Sequence, residues 1–155
     1  MEPSFGVIIR TPNMEWTRSG DDLFVRLDPG EEIHTSIKAL ADEIGVDSAA
    51  ITSGIGRTRD NVFGYMSDDG VYHRKQFPEP MELVSLQGNL ARMEDGEAFT
   101  HIHLTLADDD LNVFAGHLFN ATVHVVAEIH MRIISHAIMT RCPVVDSEFI
   151  ALRFD

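Results

Sequence analysis

Two histidines of this chain alternate with apolar residues in a way that suits metal chemistry. His101 and His103 lie in the segment 98–106 (AFTHIHLTL), whose period of two predicts a β-strand with both imidazoles on one face. Their Cα atoms would be roughly 7 Å apart. At that spacing both rings can reach one metal ion.

A third histidine, His117, follows after a short acidic stretch. Residues 107–111 have the length of a hairpin loop, so the two flanking segments are expected to pair antiparallel. If Leu106 pairs with Asn112, His117 lies opposite His101 and all three rings project from one face. A shift of one residue in this register would turn His117 to the other face.

Three neutral imidazoles and one open position describe a zinc site able to hold water or a substrate oxygen. The sequence therefore predicts a site for zinc, or another divalent transition metal, at His101, His103 and His117. One alternative is that these are ordinary polar residues on a half-exposed sheet. Another is a purely structural metal, closed by a fourth ligand such as His124, His130 or a side chain of a neighbouring subunit.

Two further residues are candidates for roles beside such a metal. Glu128 shares one face of the strand predicted at 121–134 with other polar residues, where it could act as a base or orient a ligand histidine. That face could equally be solvated. Arg57 lies in a predicted loop that could reach the sheet, where it would clamp a substrate carboxylate. The alternative is a surface arginine on an acidic protein.

Composition narrows the class of protein. The 155 residues suit a single domain, and we expect one domain over 1–155. The net charge of −13, from 25 acidic and 12 basic residues, opposes direct nucleic-acid binding, which needs clustered Lys or Arg. We find neither a membrane-spanning apolar run nor the features of a signal peptide. A single cysteine fits a reducing cytoplasm, which is the expected location.

The remaining pattern predicts one main helix among many strands. Apolar residues recur at helical spacing from Ile33 to Ile44, with Gly45 as a C-cap, and His34 lies outside this stripe and is expected to be solvated. Hairpin connections favour antiparallel pairing, so the predicted class is α+β, an antiparallel sheet or open barrel packed by the helix. Strands are predicted at 5–10, 22–27, 48–54, 61–66 (after a loop at 55–60), 71–75, 81–92, 98–106, 112–118, 121–134 and, in a short tail, 147–154.

Several segments occur in the order seen in the plant and prokaryote conserved (PPC) domain, which the chain resembles over about residues 5–135. They are GEEIHTSIKALADEIGV, AAITSGIGRTRDNVFGY, EPMELVSLQGNL, HIHLTLADDD with GHL five residues later, and ATVHVVAEIHMRI. The resemblance implies a compact α+β domain that forms a homotrimer. It also implies a distant likeness in fold to acetolactate decarboxylase, a zinc enzyme with three histidine ligands. The positions that match those ligands are His101, His103 and His117.

The function predicted from the hairpin and the resemblance is a stand-alone PPC-domain protein with a three-histidine metal pocket. The pocket would bind or process a small carbonyl or carboxylate compound; an enzyme of this kind would be a zinc-dependent lyase or hydrolase. The alternative is a non-enzymatic regulatory or DNA-associated module that acts through partners. Land-plant members bind DNA through an AT-hook, and this sequence contains no such hook.

Overall fold

The computed structural model of this chain describes residues 7–11, as backbone, and residues 14–154. These described residues form one helix, α1 (Ile33–Ile44), and ten β-strands. The strands are β1 (Val7–Thr11), β2 (Met14–Ser19), β3 (Asp22–Leu27), β4 (Ala49–Met66), β5 (Tyr72–Phe77), β6 (Met81–Met93), β7 (Ala98–Ala107), β8 (Val113–Ile133), β9 (Met139–Pro143) and β10 (Ile150–Phe154).

All ten strands belong to one sheet with the path β1-β2-β3-β8-β4-β6-β9-β10, while β5 pairs with β4. Strand β7 pairs with both β6 and β8, so β8, β4, β6 and β7 form a closed ring of hydrogen-bonded strands. The pairs are antiparallel except for the parallel contact between β6 and β9. The predicted α+β class is confirmed, but the edge strands that extend from the ring make this a mixed sheet rather than an open barrel.

Strand β4 corrects the predicted loop at 55–60, because the chain runs on as one bent strand. Register shifts relative to β8 absorb the residues that suggested a turn. Gly56 has φ +154°, and a Cβ there would lie 2.0 Å from the carbonyl oxygen of Val126; Asp60 has φ +52°. These turn-forming residues mark β-bulges, which bend a strand without ending it. The predicted break between 118 and 121 is likewise continuous strand within β8.

The single helix among the described residues forms as its sequence predicts. Glu32 is the N-cap, and its carboxylate accepts the backbone N–H groups of His34 and Thr35 at 3.2 and 2.7 Å. Gly45 ends the helix in the left-handed conformation, with φ +67°. The apolar face packs on β7 and β8, the strands that carry the three histidines. Its buried residues are Ile33, Ser36, Ile37, Leu40 and Ala41.

The C-terminal tail differs most from expectation. One strand was predicted, at 147–154, whereas two are present and pair as a hairpin, β9 with β10. Strand β9 also extends the sheet through its parallel contact with β6, Arg92 to Thr140 and Met93 to Arg141. The tail is therefore part of the sheet, next to β6. No helix within residues 14–154 is long and apolar enough to span a membrane.

Candidate metal centre

The β7–β8 hairpin places three histidines on one face of the sheet. His103 pairs with His117, and Ala107 with Val113, so the register differs by two residues from the predicted one. Because side chains alternate with a period of two, a shift of two residues keeps every side chain on its predicted face. Residues 102, 104 and 106 point inward and are buried in the core, which leaves His101 and His103 on the outer face.

The three rings converge on a common point. Their centroids are 4.9 to 5.3 Å apart, and one possible ligand atom from each ring lies within 4.8 Å of the other two. The Nε2 atoms of His101 and His103 are 3.2 Å apart. Two nitrogens bound tetrahedrally to zinc at 2.0–2.1 Å are separated by about 3.3 Å. The spacing of these two nitrogens therefore suits a single zinc ion.

The electrostatics of the site also fit a metal. Burial lowers the pKa of His101 to about 4, and Arg141 and the neighbouring imidazoles add to this effect. Burial likewise lowers the pKa of His117 to about 3, with further contributions from the neighbouring imidazoles and Arg74. Both rings are therefore neutral at pH 7, as metal ligation requires. The Nδ1 atom of His117 is buried and has no hydrogen-bond partner among the described residues. Burial of such a nitrogen is costly unless something binds to that atom.

Glycines allow the backbone to come close around the centre. A Cβ built on Gly88 of β6 would lie 1.9 Å from the carbonyl oxygen of His101 on β7. A Cβ on Gly116 would lie 2.6 Å from the carbonyl oxygen of Gly64 on β4. Real side chains cannot make such contacts, so these two positions exclude larger residues beside His101 and His117.

His34 corrects the expectation of a solvated side chain. Its Nε2 donates to the carbonyl oxygen of Leu118 at 3.1 Å, because a carbonyl can only accept, and Nδ1 then accepts the Thr100 hydroxyl at 2.6 Å. Burial lowers the pKa of His34 and favours this neutral form. Thr100 and Leu118 are the sequence neighbours of His101 and His117. One histidine on α1 thus ties together the two strands that carry the proposed ligands.

Arg141, from the tail, lies behind His101. Its side chain is 2% exposed, and it donates to the side-chain oxygen of Asn89 and, at 2.8 Å, to the carbonyl oxygen of Ile150. Its Nη2 is 3.3 Å from His101 Nδ1, and its guanidinium lies 5.5 Å from the ring centroid of Phe99. Sequence reasoning missed this residue, because the tail strand that carries it was not predicted.

A cavity of about 440 Å³ opens beside the centre, with His101 and His117 in its wall. Helix α1 lines one side and strand β5 with the tail lines the other. On the α1 side are His34 and Lys38, and on the other are Tyr72, Arg74 and Glu148. A second, more open hollow lies on the other side of the cluster, against His101 and His103.

The structure does not bring Glu128 and Arg57 of this chain to the three histidines, and it places Arg57 in a strand rather than in the predicted loop. Glu128 is exposed on β8 opposite Arg26 of β3, in a separate groove. Arg57 lies within β4 and binds Glu82 at 2.7 Å and Asp109 at 2.8 Å. Neither side chain lines the two hollows beside the histidines.

The two histidines considered as a fourth ligand also lie elsewhere. His124 is exposed on β8, and His130 contacts Asp22 at 3.1 Å and the hydroxyl of Thr52. Within residues 14–154, the group of possible ligands at this site contains three histidines and no fourth His, Cys, Asp or Glu.

Comparisons with known proteins agree with this fold. The family model of the Plants and Prokaryotes Conserved (PCC) domain matches residues 14–135. Similar solved structures include a plant- and prokaryote-conserved (PPC) protein from Pyrococcus horikoshii, with 29% identity and a TM-score of 0.77, aligned over 98% of this chain and 96% of that chain. A protein from Archaeoglobus fulgidus described as metal-containing has 31% identity and a TM-score of 0.78, over 88% and 95%.

A third similar structure, from Bacteroides thetaiotaomicron, is described as a candidate DNA-binding protein. It has 25% identity and a TM-score of 0.82, aligned over 91% of this chain and 97% of that chain. The search of curated proteins gave no match.

Proposed function

The chain belongs to the plants and prokaryotes conserved domain family, and on this premise we propose that it is a metal-binding member of that family. His101, His103 and His117 would hold zinc or another divalent transition metal. The observation that carries the proposal is the convergence of three ring nitrogens, two of them 3.2 Å apart, on a face where burial keeps two of the rings neutral. The similar Archaeoglobus fulgidus protein, described as metal-containing, supports it.

The proposed ligand is a small carbonyl or carboxylate compound that enters the cavity beside the centre. Zinc held by the three histidines would supply a Lewis acid for an oxygen of such a compound. His34 fixes the two ligand strands, and Arg141 places a buried positive charge behind His101. Three protein ligands are typical of catalytic zinc sites, whereas structural sites usually have four, so a lyase or hydrolase is favoured over a structural metal.

A zinc titration of chelator-treated protein by isothermal titration calorimetry tests this proposal. We expect one ion per chain, with loss of binding when His103 or His117 is replaced by alanine. Binding of well under one ion per chain, or equal binding by these variants, would contradict it. Copper and nickel also favour imidazole ligands, so elemental analysis of protein purified without chelator should identify the native metal.

A second candidate is a DNA-associated module, favoured by the description of the Bacteroides thetaiotaomicron relative. The net charge of −13 opposes direct contact with phosphates, so this role would act through a partner protein.

We further propose the homotrimer that the family resemblance implies. Large apolar side chains left exposed on one chain, such as Phe24 and Val125, are candidates for its contacts. Multi-angle light scattering would give the number of chains.

A further inference from the structure

The cavity beside the centre has an aromatic wall. The ring of Tyr72 stacks on that of His117, with centroids 4.5 Å apart and planes 27° from parallel. Phe119 packs edge-on against Tyr72 at 5.1 Å and lies 4.7 Å from His117. Phe99 also lines the cavity. Flat apolar surface of this kind suits a ligand with a planar ring, because aromatic pairs gain energy beyond the area that they bury.

The same wall carries a cation. The guanidinium of Arg74 lies 4.3 Å from the ring centroid of Phe119 and 5.9 Å from that of Tyr72. Its contacts with the Glu148 carboxylate are long, at 3.4 and 3.5 Å, and 44% of the Arg74 side chain is exposed. A guanidinium held this loosely can turn to a ligand carboxylate without losing a strong ion pair.

Both acids that line the cavity already accept hydrogen bonds from backbone N–H groups. Glu32 accepts the backbone N–H groups at the start of α1, and Glu148 accepts the backbone N–H of Tyr72 at 2.7 Å. Arg141, in contrast, is buried, and its partners among the described residues are an amide oxygen, a carbonyl oxygen and a ring nitrogen rather than a carboxylate. The two acids of the lining, Glu32 and Glu148, are balanced by Lys38 and Arg74, so the charge of Arg141 behind His101, together with that of the proposed metal, would make this region net positive.

We propose that the cavity binds an aromatic carboxylate, with the ring against Phe119 and Tyr72 and the acid group at Arg74. This inference rests on the proposed function, since the metal supplies part of the positive charge, and it narrows the ligand from small carboxylates in general to those with a ring. Residues beyond the family match at 14–135 complete the site, because Arg141 and Glu148 both come from the tail.

Calorimetry on zinc-loaded protein tests the inference with three probes. Benzoate has both ring and charge, benzamide has the ring without the charge, and acetate has the charge without the ring. We expect benzoate to bind about tenfold or more tightly than either of the others, the range expected for a charged hydrogen bond or a stacked ring. Equal binding of benzoate and benzamide, or of benzoate and acetate, would overturn the proposal.

Variants locate the binding. Arg74→Gln should weaken benzoate binding about tenfold and leave benzamide unchanged, and Phe119→Leu should weaken benzoate more than acetate. Lys75→Gln is the matched control, because Lys75 is the next residue of β5 and lies 4.9 Å from the ring of Phe77, outside this cavity. Unchanged benzoate affinity in both Arg74→Gln and Phe119→Leu would place the probe elsewhere and overturn the inference.

The zinc titration separates the two proposals. If zinc binds at one ion per chain but the three probes bind alike, the metal centre stands and the aromatic carboxylate site fails. If no zinc binds, the proposed function fails and this inference fails with it. Thermal denaturation of each variant, with an unchanged midpoint, shows that a lost affinity is not a folding defect.

Discussion

His103 lies directly across from His117 in the β7–β8 ladder, with ring centroids 5.3 Å apart and planes at 86°. The two residues lie on neighbouring strands whose inward side chains are packed in the core. Both rings are therefore attached to well-packed backbone. His101 completes the group from the same face of β7, two residues away. The proposed metal therefore depends on a single hairpin rather than on mobile loops.

Replacing His103 with alanine should abolish tight zinc binding. Loss of a residue that only supports a ligand costs about 10–100-fold in metal affinity, so loss of a ligand should cost at least as much. A competition titration against a zinc-sensitive dye measures the change. His136→Ala is the control, because His136 is exposed and lies outside the cluster. Equal affinity in wild type and His103→Ala would rule out His103 as a ligand.

The stability of metal-free protein should decrease as the pH falls below about 6.5. Burial lowers the pKa of His101 to about 4 and of His117 to about 3, from an ordinary value of 6.5. Between these values the unfolded chain binds protons that the folded chain does not, so acid favours unfolding. Urea denaturation between pH 7 and pH 4 measures the free energy of unfolding.

The variant His117→Asn isolates this effect from that of the many carboxylates. It lacks one of the two rings with a lowered pKa, so its free energy of unfolding should fall less steeply over the same pH range. If both proteins show the same slope, burial of His117 does not set the pH dependence. Zinc should raise the stability of wild type at pH 6 and above without flattening this slope, because a metal on the rings prevents them from binding protons in the folded state.

Gly88→Ala should destabilise the fold by about 1–3 kcal/mol or more, the cost of forcing an extra group into a packed site. The new Cβ would lie 1.9 Å from the carbonyl oxygen of His101, so β6 and β7 must separate. Zinc affinity should fall as well, because His101 moves with its backbone. Val84→Ala on the same strand is the control, since Val84 is 50% exposed. A change below 0.5 kcal/mol in Gly88→Ala, within the range of about ±0.5 kcal/mol typical of surface substitutions, would contradict this account.

His34→Ala should lower both stability and zinc affinity. The variant leaves the Leu118 carbonyl and the Thr100 hydroxyl without their partner, which costs about 1–3 kcal/mol. It also removes the hydrogen bonds that link β7 and β8 beside His101 and His117, so we expect zinc affinity to fall about tenfold. Glu43→Ala, at an exposed position of the same helix, provides the comparison. A purely structural role would appear as lost stability with unchanged zinc affinity.

The face of the three histidines followed from sequence, whereas their register did not. Alternation over 98–106 fixes which residues point inward, and a shift by two residues does not alter this. The register depends on the loop, where the Asp108 carboxylate accepts the backbone N–H groups of Asp110 and Asn112, and Leu111 has φ +64°. These bonds extend β7 to Ala107, one residue beyond the predicted end.

The surroundings of the site were beyond the sequence pattern for a different reason. Local periodicity describes one element at a time. The contacts of the tail with β6 and with the turn before β5 bring Arg141 behind His101 and Glu148 into the wall of the cavity. His34 was expected in solvent because it lies outside the apolar stripe of α1. Its partners are on β7 and β8, far away in sequence, and no helical spacing reveals them.

Direct binding to DNA should be undetectable. With 25 acidic and 12 basic residues the chain has no surplus of positive charge to displace counterions from phosphates. A mobility-shift assay at low salt, with duplexes of varied sequence, measures this. A complex that dissociates steeply as salt increases would show that a local basic surface outweighs the net charge, and the DNA-associated role would then become the leading one.

The most direct test is a crystal structure of zinc-loaded protein, with anomalous data on both sides of the zinc absorption edge. The account predicts one peak per chain, with ring nitrogens of His101, His103 and His117 about 2.0–2.1 Å from it and a remaining position open to the cavity. An ion bound elsewhere, or a map in which one of these three rings points away from the peak, would contradict the central claim.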